Sequence, residues 1–163
     1  MAVNLVRGTL LRFGRQGGYV ALQRRGFADA PQMAFTFAAP NGVYYNNANV
    51  KQVDVPSYSG SFGILPNHVP TLAVLKPGVI TVIENDGSPK KFFVSSGTVT
   101  INDDSSVQVL AEEAVKVEDL DPSACRETLH WAHGQVSSAA TDEARAEAQV
   151  AVEVAEALVK ACE

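Results

Sequence analysis

Apolar and polar positions follow two different periods along this chain. From Met33 to Lys116 they alternate in short runs separated by turn chemistry: "MAFTFA", then "PNGVYYNNANV", then "KQVDV", where Val53 and Val55 share a face. Farther on, Val99 with Ile101 and Val107 with Val109 keep the period of two that an extended chain needs to fill one side. Asn85-Asp86-Gly87, Ser95-Ser96-Gly97 and Asn102-Asp103-Asp104 punctuate these runs, the second reading as a hairpin turn. Strands recurring about every 8–12 residues predict an antiparallel β-sandwich or barrel, assigned here to residues 33–117.

After Leu120 the period becomes helical. Asp121 followed by Pro122 is a helix start, an N-cap acceptor and then a residue with no N–H to leave unpaired. Cys125, Leu129, Ala132 and Val136 recur at helical spacing, "SSAAT" breaks the pattern, and Ala144, Ala148, Ala151, Ala155, Val159 and Cys162 form a second stripe. Small residues facing a short apolar helix let two antiparallel axes approach closely, so residues 118–163 read as a two-helix hairpin. The fold class is therefore α+β, a β-sandwich followed by a helical hairpin. Val150, Val152 and Val154 fall off the Ala stripe and are spare apolar surface for a partner.

Charge divides the chain once more. Arg7, Arg12, Arg15, Arg24 and Arg25 give residues 1–27 a charge of +5 with no acid, while the remaining residues hold 8 basic and 18 acidic side chains, or −10. Wound as a helix, the first segment puts Val3, Val6, Leu10 and Phe13 within an arc of about 80°, with Arg12 and Arg15 opposite. That pattern, ending in "RRGFADA", predicts a mitochondrial presequence cut between Phe27 and Ala28, leaving a short tail over 28–32. A basic tail that binds nucleic acid is the alternative. The acidic body has no basic face for phosphates, and no run of 18 apolar residues spans a bilayer. In a reducing matrix the two cysteines, Cys125 and Cys162, read as free, partly buried thiols, a disulfide being the alternative.

Catalytic chemistry is sparse. His130 and His133 have metal-ligand spacing on the first helix, with Cys125 before them, but nothing supplies a third ligand. Glu112 and Glu113, read as strand neighbours, point to opposite faces and cannot share a substrate. No phosphate-cradling or dinucleotide motif is present, and no cofactor is implied. "GSFGILPNHVPTLAVLKPG", residues 60–78, stands apart. Glycine or proline fixes its backbone at Gly60, Gly63, Pro66, Pro70, Pro77 and Gly78, yet it carries apolar Phe62, Ile64, Leu65 and Val69. A shaped, partly apolar loop suits protein recognition. His68 then belongs to an interface, or hydrogen-bonds its own turn, or acts as a base; composition favours them in that order.

This segment closely resembles the signature loop of the small central-stalk subunit of F-type ATP synthases, usually GxxGILPGHxPxxxxLKPG, called epsilon in bacteria and chloroplasts and delta in mitochondria. "MAFTFAAPNGVYYNNANVKQVDVPSYSG", "FFVSSGTVTINDDSSVQVLAEEAV" and "DEARAEAQVAVEVAEALVKA" resemble other parts of the same family, so the likeness covers residues 33–163. The presequence points to the mitochondrial form. The resemblance implies a non-catalytic rotor part, peripheral to the matrix side of the inner membrane, with the sandwich against the gamma subunit and the c-ring. It implies an interface at Gly60, Ser61, Phe62, Gly63, Ile64, Leu65, Pro66, Asn67, His68 and Pro70. The turn Gly60–Gly63 would approach the ring, the neighbourhood of His68 would face gamma, and a mitochondrial epsilon subunit would pack on sandwich and hairpin. Two positions depart from the pattern: Ser61 stands where bacterial relatives often have an acid, and Asn67 replaces a glycine, with Asn the residue that best tolerates positive φ there.

The family supplies an alternative function, nucleotide sensing or inhibition of ATP hydrolysis through the hairpin. Some bacterial relatives bind ATP through I/L-D-x-x-R-x-x-A. Here "LDPSACRETLHWA" keeps Leu120 and Asp121 but has Ala124 in the Arg position, with Arg126 two residues late and about 200° around the helix.

Overall fold

The computed structural model describes residues 32–163; the presequence, the Phe27–Ala28 cut and most of the 28–32 tail lie outside them. The alternating runs form ten strands: β1 (Met33–Ala39), β2 (Gly42–Val50), β3 (Gln52–Val55), β4 (Phe62–Ile64), β5 (Thr71–Leu75), β6 (Gly78–Ile83), β7 (Pro89–Val94), β8 (Gly97–Ile101), β9 (Val107–Ala111) and β10 (Ala114–Lys116). They pair into two five-stranded sheets, β2-β1-β9-β8-β5 and β10-β7-β6-β3-β4. Every named pair is antiparallel except β1 with β9. The predicted sandwich is the observed one.

Period-two alternation builds the core. Met33, Phe35 and Phe37 of β1, Val53 and Val55 of β3, Ile80 and Val82 of β6, and Val107 and Val109 of β9 all point inward and are buried. At one end Phe92 of β7 meets Phe37, Tyr44 and Tyr45 edge-on, with ring centroids 5.4, 5.2 and 5.9 Å apart. Turn chemistry acts as read at Asp86, whose Oδ1 accepts from the backbone N–H and hydroxyl of Ser88 beside left-handed Gly87.

Ser95–Gly97 is not the hairpin turn that its composition suggests. β7 lies in the second sheet and β8 in the first, so the chain switches sheets there. It switches back between β9 and β10, and the two corners are strapped together: Ser95 N–H donates to Glu113 O at 3.3 Å and Glu112 N–H to Ser96 O at 3.1 Å. Glu112 and Glu113 therefore sit in this corner rather than on a strand, and both are exposed. Gly97, at φ 151°, has the Leu110 carbonyl where a Cβ would be.

A short 3-10 turn, Val117–Asp119, leads to α1 (Pro122–Ser138) and α2 (Asp142–Ala161). Asp121 Oδ1 accepts from Ser123 N–H at 2.8 Å, and Thr141 Oγ1 from Ala144 N–H at 3.1 Å, capping both helices. Cys125, Ala132, Ala148 and Ala155 are buried, so the two stripes meet as expected. Helix α2 also lies against the second sheet. Phe93 follows inward Phe92 and so points out of the sandwich, yet it is only 5% exposed, and it shares a cleft with Val154 and Leu158 of α2. Val154 thus faces the sandwich instead of forming spare surface; Val152 is half-buried, and of the three only Val150 stands clear, at 61%.

Candidate functional site

The segment 60–70 bridges the edges of the two sheets. β4 is the last strand of the second sheet and β5, which follows the segment, the last of the first, so the stretch 60–78 read as loop contains one strand from each. Ile64 is fully buried between the sheets and Phe62 packs against the same core, so Ile64 anchors the segment and has no surface to offer. Before it, Ser57 is 1% exposed; its hydroxyl donates to Gly60 O at 2.7 Å, and Gly60 N–H donates to Ser57 O at 3.0 Å. Gly60 closes this turn at φ 123°, in the region open to glycine. Gly63 lies against Asp54, whose Oδ1 would be 2.7 Å from any Cβ placed there.

A second turn follows. Asn67 adopts φ 64°, the left-handed conformation expected of it, and His68 N–H donates to Leu65 O at 3.1 Å. His68 Nδ1 lies 2.8 Å from Val69 O. A carbonyl only accepts, so Nδ1 carries a proton and donates. The ring is half-buried and sits 6.1 Å, centroid to centroid, from Phe62. His68 therefore does stiffen its own turn. Around it Leu65 and Val69 are 54% and 70% exposed, and Ser61, Asn67 and Pro70 are also exposed while Pro66 is half-buried.

Beyond the segment lies a surface that the sequence reading missed. Register places Val74 opposite Thr98, Thr98 opposite Leu110, Leu110 beside Ala38 and Ala38 opposite Val43. These residues form one row across all five strands of the first sheet, on its outer face. A second row runs from Leu72 through Thr100 and Gln108 to Thr36. Val43, Leu72, Val74 and Leu110 are 66%, 74%, 56% and 56% exposed. No strand of this sheet contains a charged residue, whereas the second sheet carries Asp54, Lys90, Lys91 and Lys116. An uncharged apolar band of this extent marks an interaction surface. Five strands without Asp, Glu, Lys or Arg, with apolar residues at outward positions of β1, β2, β5 and β9, were the signal available in the sequence.

The other candidates are dispersed. His130 and His133 are both exposed on α1, and among the described residues no three His, Cys, Asp or Glu side chains group as metal ligands. Ala124 and Arg126 are also exposed on α1, and the Asp121 carboxylate is engaged as the helix cap. Trp131, 60% exposed, separates two shallow clefts on the hairpin, one running toward Gly134 and Gln135, the other toward Ala144 and Ala151. The strongest polar cluster serves the fold. Glu84 Oε1 accepts from Tyr45 at 3.0 Å and pairs with Lys90 at 2.8 Å, which holds its carboxyl below the ordinary range and, after burial, raises the Tyr45 phenol.

Known proteins match this arrangement over most of its length. Residues 32–117 match the family model described as ATP synthase, Delta/Epsilon chain, beta-sandwich domain. The chain is 49% identical over 155 residues to the mitochondrial ATP synthase subunit delta of Caenorhabditis elegans, covering 94% of each chain. It is 42% identical to that of Yarrowia lipolytica, covering 85% of this chain and 87% of the relative. In fold it is similar to a chain of the Euglena gracilis mitochondrial ATP synthase, with TM-score 0.75, 24% identity and coverage of 85% of this chain and 88% of that one. A chain of the Tetrahymena thermophila mitochondrial ATP synthase central stalk and c-ring is similar at TM-score 0.63 and 17% identity, covering 83% of this chain and 100% of that one. A matching sandwich model and identity of this extent over nearly the whole chain lead to one conclusion: the chain belongs to the ATP synthase delta/epsilon family.

Proposed function

We propose that the chain is a non-catalytic rotor subunit of the mitochondrial ATP synthase, joining the gamma subunit to the c-ring and passing rotation between them. The observation that carries this reading is the uncharged outer face of the first sheet, continuous in sequence through β5 with the stiffened segment 60–70. Torque transfer needs a rigid body with complementary surfaces and no reacting groups. Gamma occupies the Val43–Leu110–Val74 face together with His68, and the ring meets the turn at Gly60 and Ser61. Ser61 offers the ring a neutral hydrogen bond where an acid would offer a charge. Trp131 and Val150 supply the apolar anchor for the mitochondrial epsilon subunit on the hairpin. No helix among the described residues is long and apolar enough to cross a membrane, in keeping with a peripheral position on the matrix side. Residues 1–27 act as the cleaved presequence, leaving Ala28 as the mature N-terminus, with 33–117 and 118–163 as its two domains.

A tagged chain added to mitochondrial membranes stripped of the native subunit tests this. Recovery of gamma, epsilon and c-ring together, with return of oligomycin-sensitive coupling, is the expected result. His68→Ala should weaken that recovery while leaving circular dichroism unchanged. A chain that stays alone and whose thermal midpoint rises with ATP would instead support the nucleotide-sensing role.

A further inference from the structure

The hairpin brings the chain's two cysteines together at its open end, opposite the α1–α2 connection. Cys125 lies in the first turn of α1, where its N–H bonds Asp121 O, and Cys162 caps the end of α2, where its N–H bonds Leu158 O and Val159 O. Their Sγ atoms are 3.4 Å apart, with Cys162 positioned to donate to Cys125. Both are thiols in this structure. Cys125 is buried at 6% exposure and Cys162, at the chain's helical end, is half-buried, so Cys162 is the more open of the two residues.

We propose that this pair is a peroxide-responsive site that closes to an intramolecular Cys125–Cys162 disulfide and locks the folded hairpin. The division of labour follows from access. The Cys162 thiolate attacks the O–O bond of hydrogen peroxide, giving a Cys162 sulfenic acid and hydroxide, which takes up the thiol proton as water. The Cys125 sulfur then attacks the sulfenic sulfur; the S–O bond breaks, and the hydroxide leaves with the Cys125 proton as a second water. Two thiols lose two electrons in total and one peroxide gains them. Bonding distance near 2.05 Å requires an approach of about 1.3 Å, within the reach of side-chain torsions at two helix ends. Burial first, and then the neighbouring Cys162 sulfur, raise the Cys125 thiol above its ordinary value, so it is a poor first target for peroxide and acts as the resolving sulfur. The new bond would join the first turn of α1 to the last of α2, making the hairpin a closed ring.

Treatment of the reduced full chain with hydrogen peroxide, followed by alkylation and non-reducing peptide mapping, tests this. The expected product is a monomer with no alkylatable thiol, in which the peptides holding Cys125 and Cys162 are joined and are released by dithiothreitol. Its helical unfolding, followed by circular dichroism, should shift upward by several degrees relative to the reduced chain. In Cys125→Ser a dimedone adduct should accumulate at Cys162, and in Cys162→Ser the remaining thiol should stay alkylatable after unfolding. Sulfinic or sulfonic acids in the wild type, covalent dimers, or two thiols still open to alkylation would each overturn the proposal.

Discussion

Alternate residues of β5 separate docking from folding, because Leu72 points out of the first sheet at 74% exposure and Leu75 points in at 0%. Fully burying a leucine side chain is worth about 1.5–3 kcal/mol. Covering the exposed three-quarters of Leu72 under a partner should therefore contribute about 1.1–2.2 kcal/mol, a factor of roughly 6–40 in affinity. Leu72→Lys removes that contribution and adds the cost of desolvating an ammonium group, so the factor is a lower bound. In the isolated chain the same lysine stays in water, and stability should change by no more than about 0.5 kcal/mol. Leu75→Ala is the mirror experiment: a cavity in the core costs about 2–5 kcal/mol, or roughly 6–15 °C in thermal midpoint for a chain of this size. Thermal melts of the purified variants, with titration of each into synthase particles depleted of this subunit, read both quantities. A Leu72→Lys melt as depressed as that of Leu75→Ala, or binding within twofold of wild type, would refute the assignment of this face.

Other substitutions probe the supports of the site. Gly97→Ala should destabilise by about 1–3 kcal/mol in urea titration, because the left-handed strain adds to collision with the Leu110 carbonyl; an unchanged midpoint would mean that the strapped corner is soft. Asn67→Gly should be neutral within about 0.5 kcal/mol, whereas Asn67→Val, which resists φ 64°, should cost about 1–2 kcal/mol and disturb His68 next to it. Acid should weaken the aromatic end of the sandwich. Lys90 and Tyr45 hold Glu84 below the ordinary 4.5, so the unfolded chain takes up that proton first as pH falls. The stabilisation is complete above that ordinary value and disappears as pH drops through the lower folded one. Urea midpoints measured between pH 6 and 3 should therefore fall more steeply in wild type than in Glu84→Gln.

Most of the sandwich was legible because its determinants are local. A period of two, interrupted by Asn-Asp-Gly, specifies strands and turns without reference to the rest of the chain. The same holds for Asp121-Pro122 as a helix start and for Asn67 as a left-handed turn residue. What stayed hidden depends on distant partners. Ser95-Ser96-Gly97 has the composition of a hairpin turn, and only its pairing with the 112–113 corner turns it into a crossing between sheets. Phe92 and Phe93 are adjacent and both buried, one by the core and one by α2, so no alternation exists there to read. Leu72, Val74 and Leu110 have the side chains of a core and lie outside it. The sequence announces that they are apolar; register alone decides which side they take.

That register also explains how a push on the signature segment can travel. Strand β4 hydrogen-bonds to β3 in the second sheet and β5 to β8 in the first, so the six residues between β4 and β5 are tethered to both layers. Ile64 enters the core at one end of the tether and Leu75 at the far end of β5, while the Gly60 and Asn67 turns and the His68–Val69 bond remove slack between them. A close-packed interior transmits such displacement instead of absorbing it. The two outer faces are then free for different neighbours: the second sheet is occupied by its own hairpin through Phe93, Val154 and Leu158, and the first is left bare and uncharged. A subunit coupling a ring to a shaft needs this asymmetry, since covering both faces would leave no place to grip and covering neither would leave the hairpin unsupported.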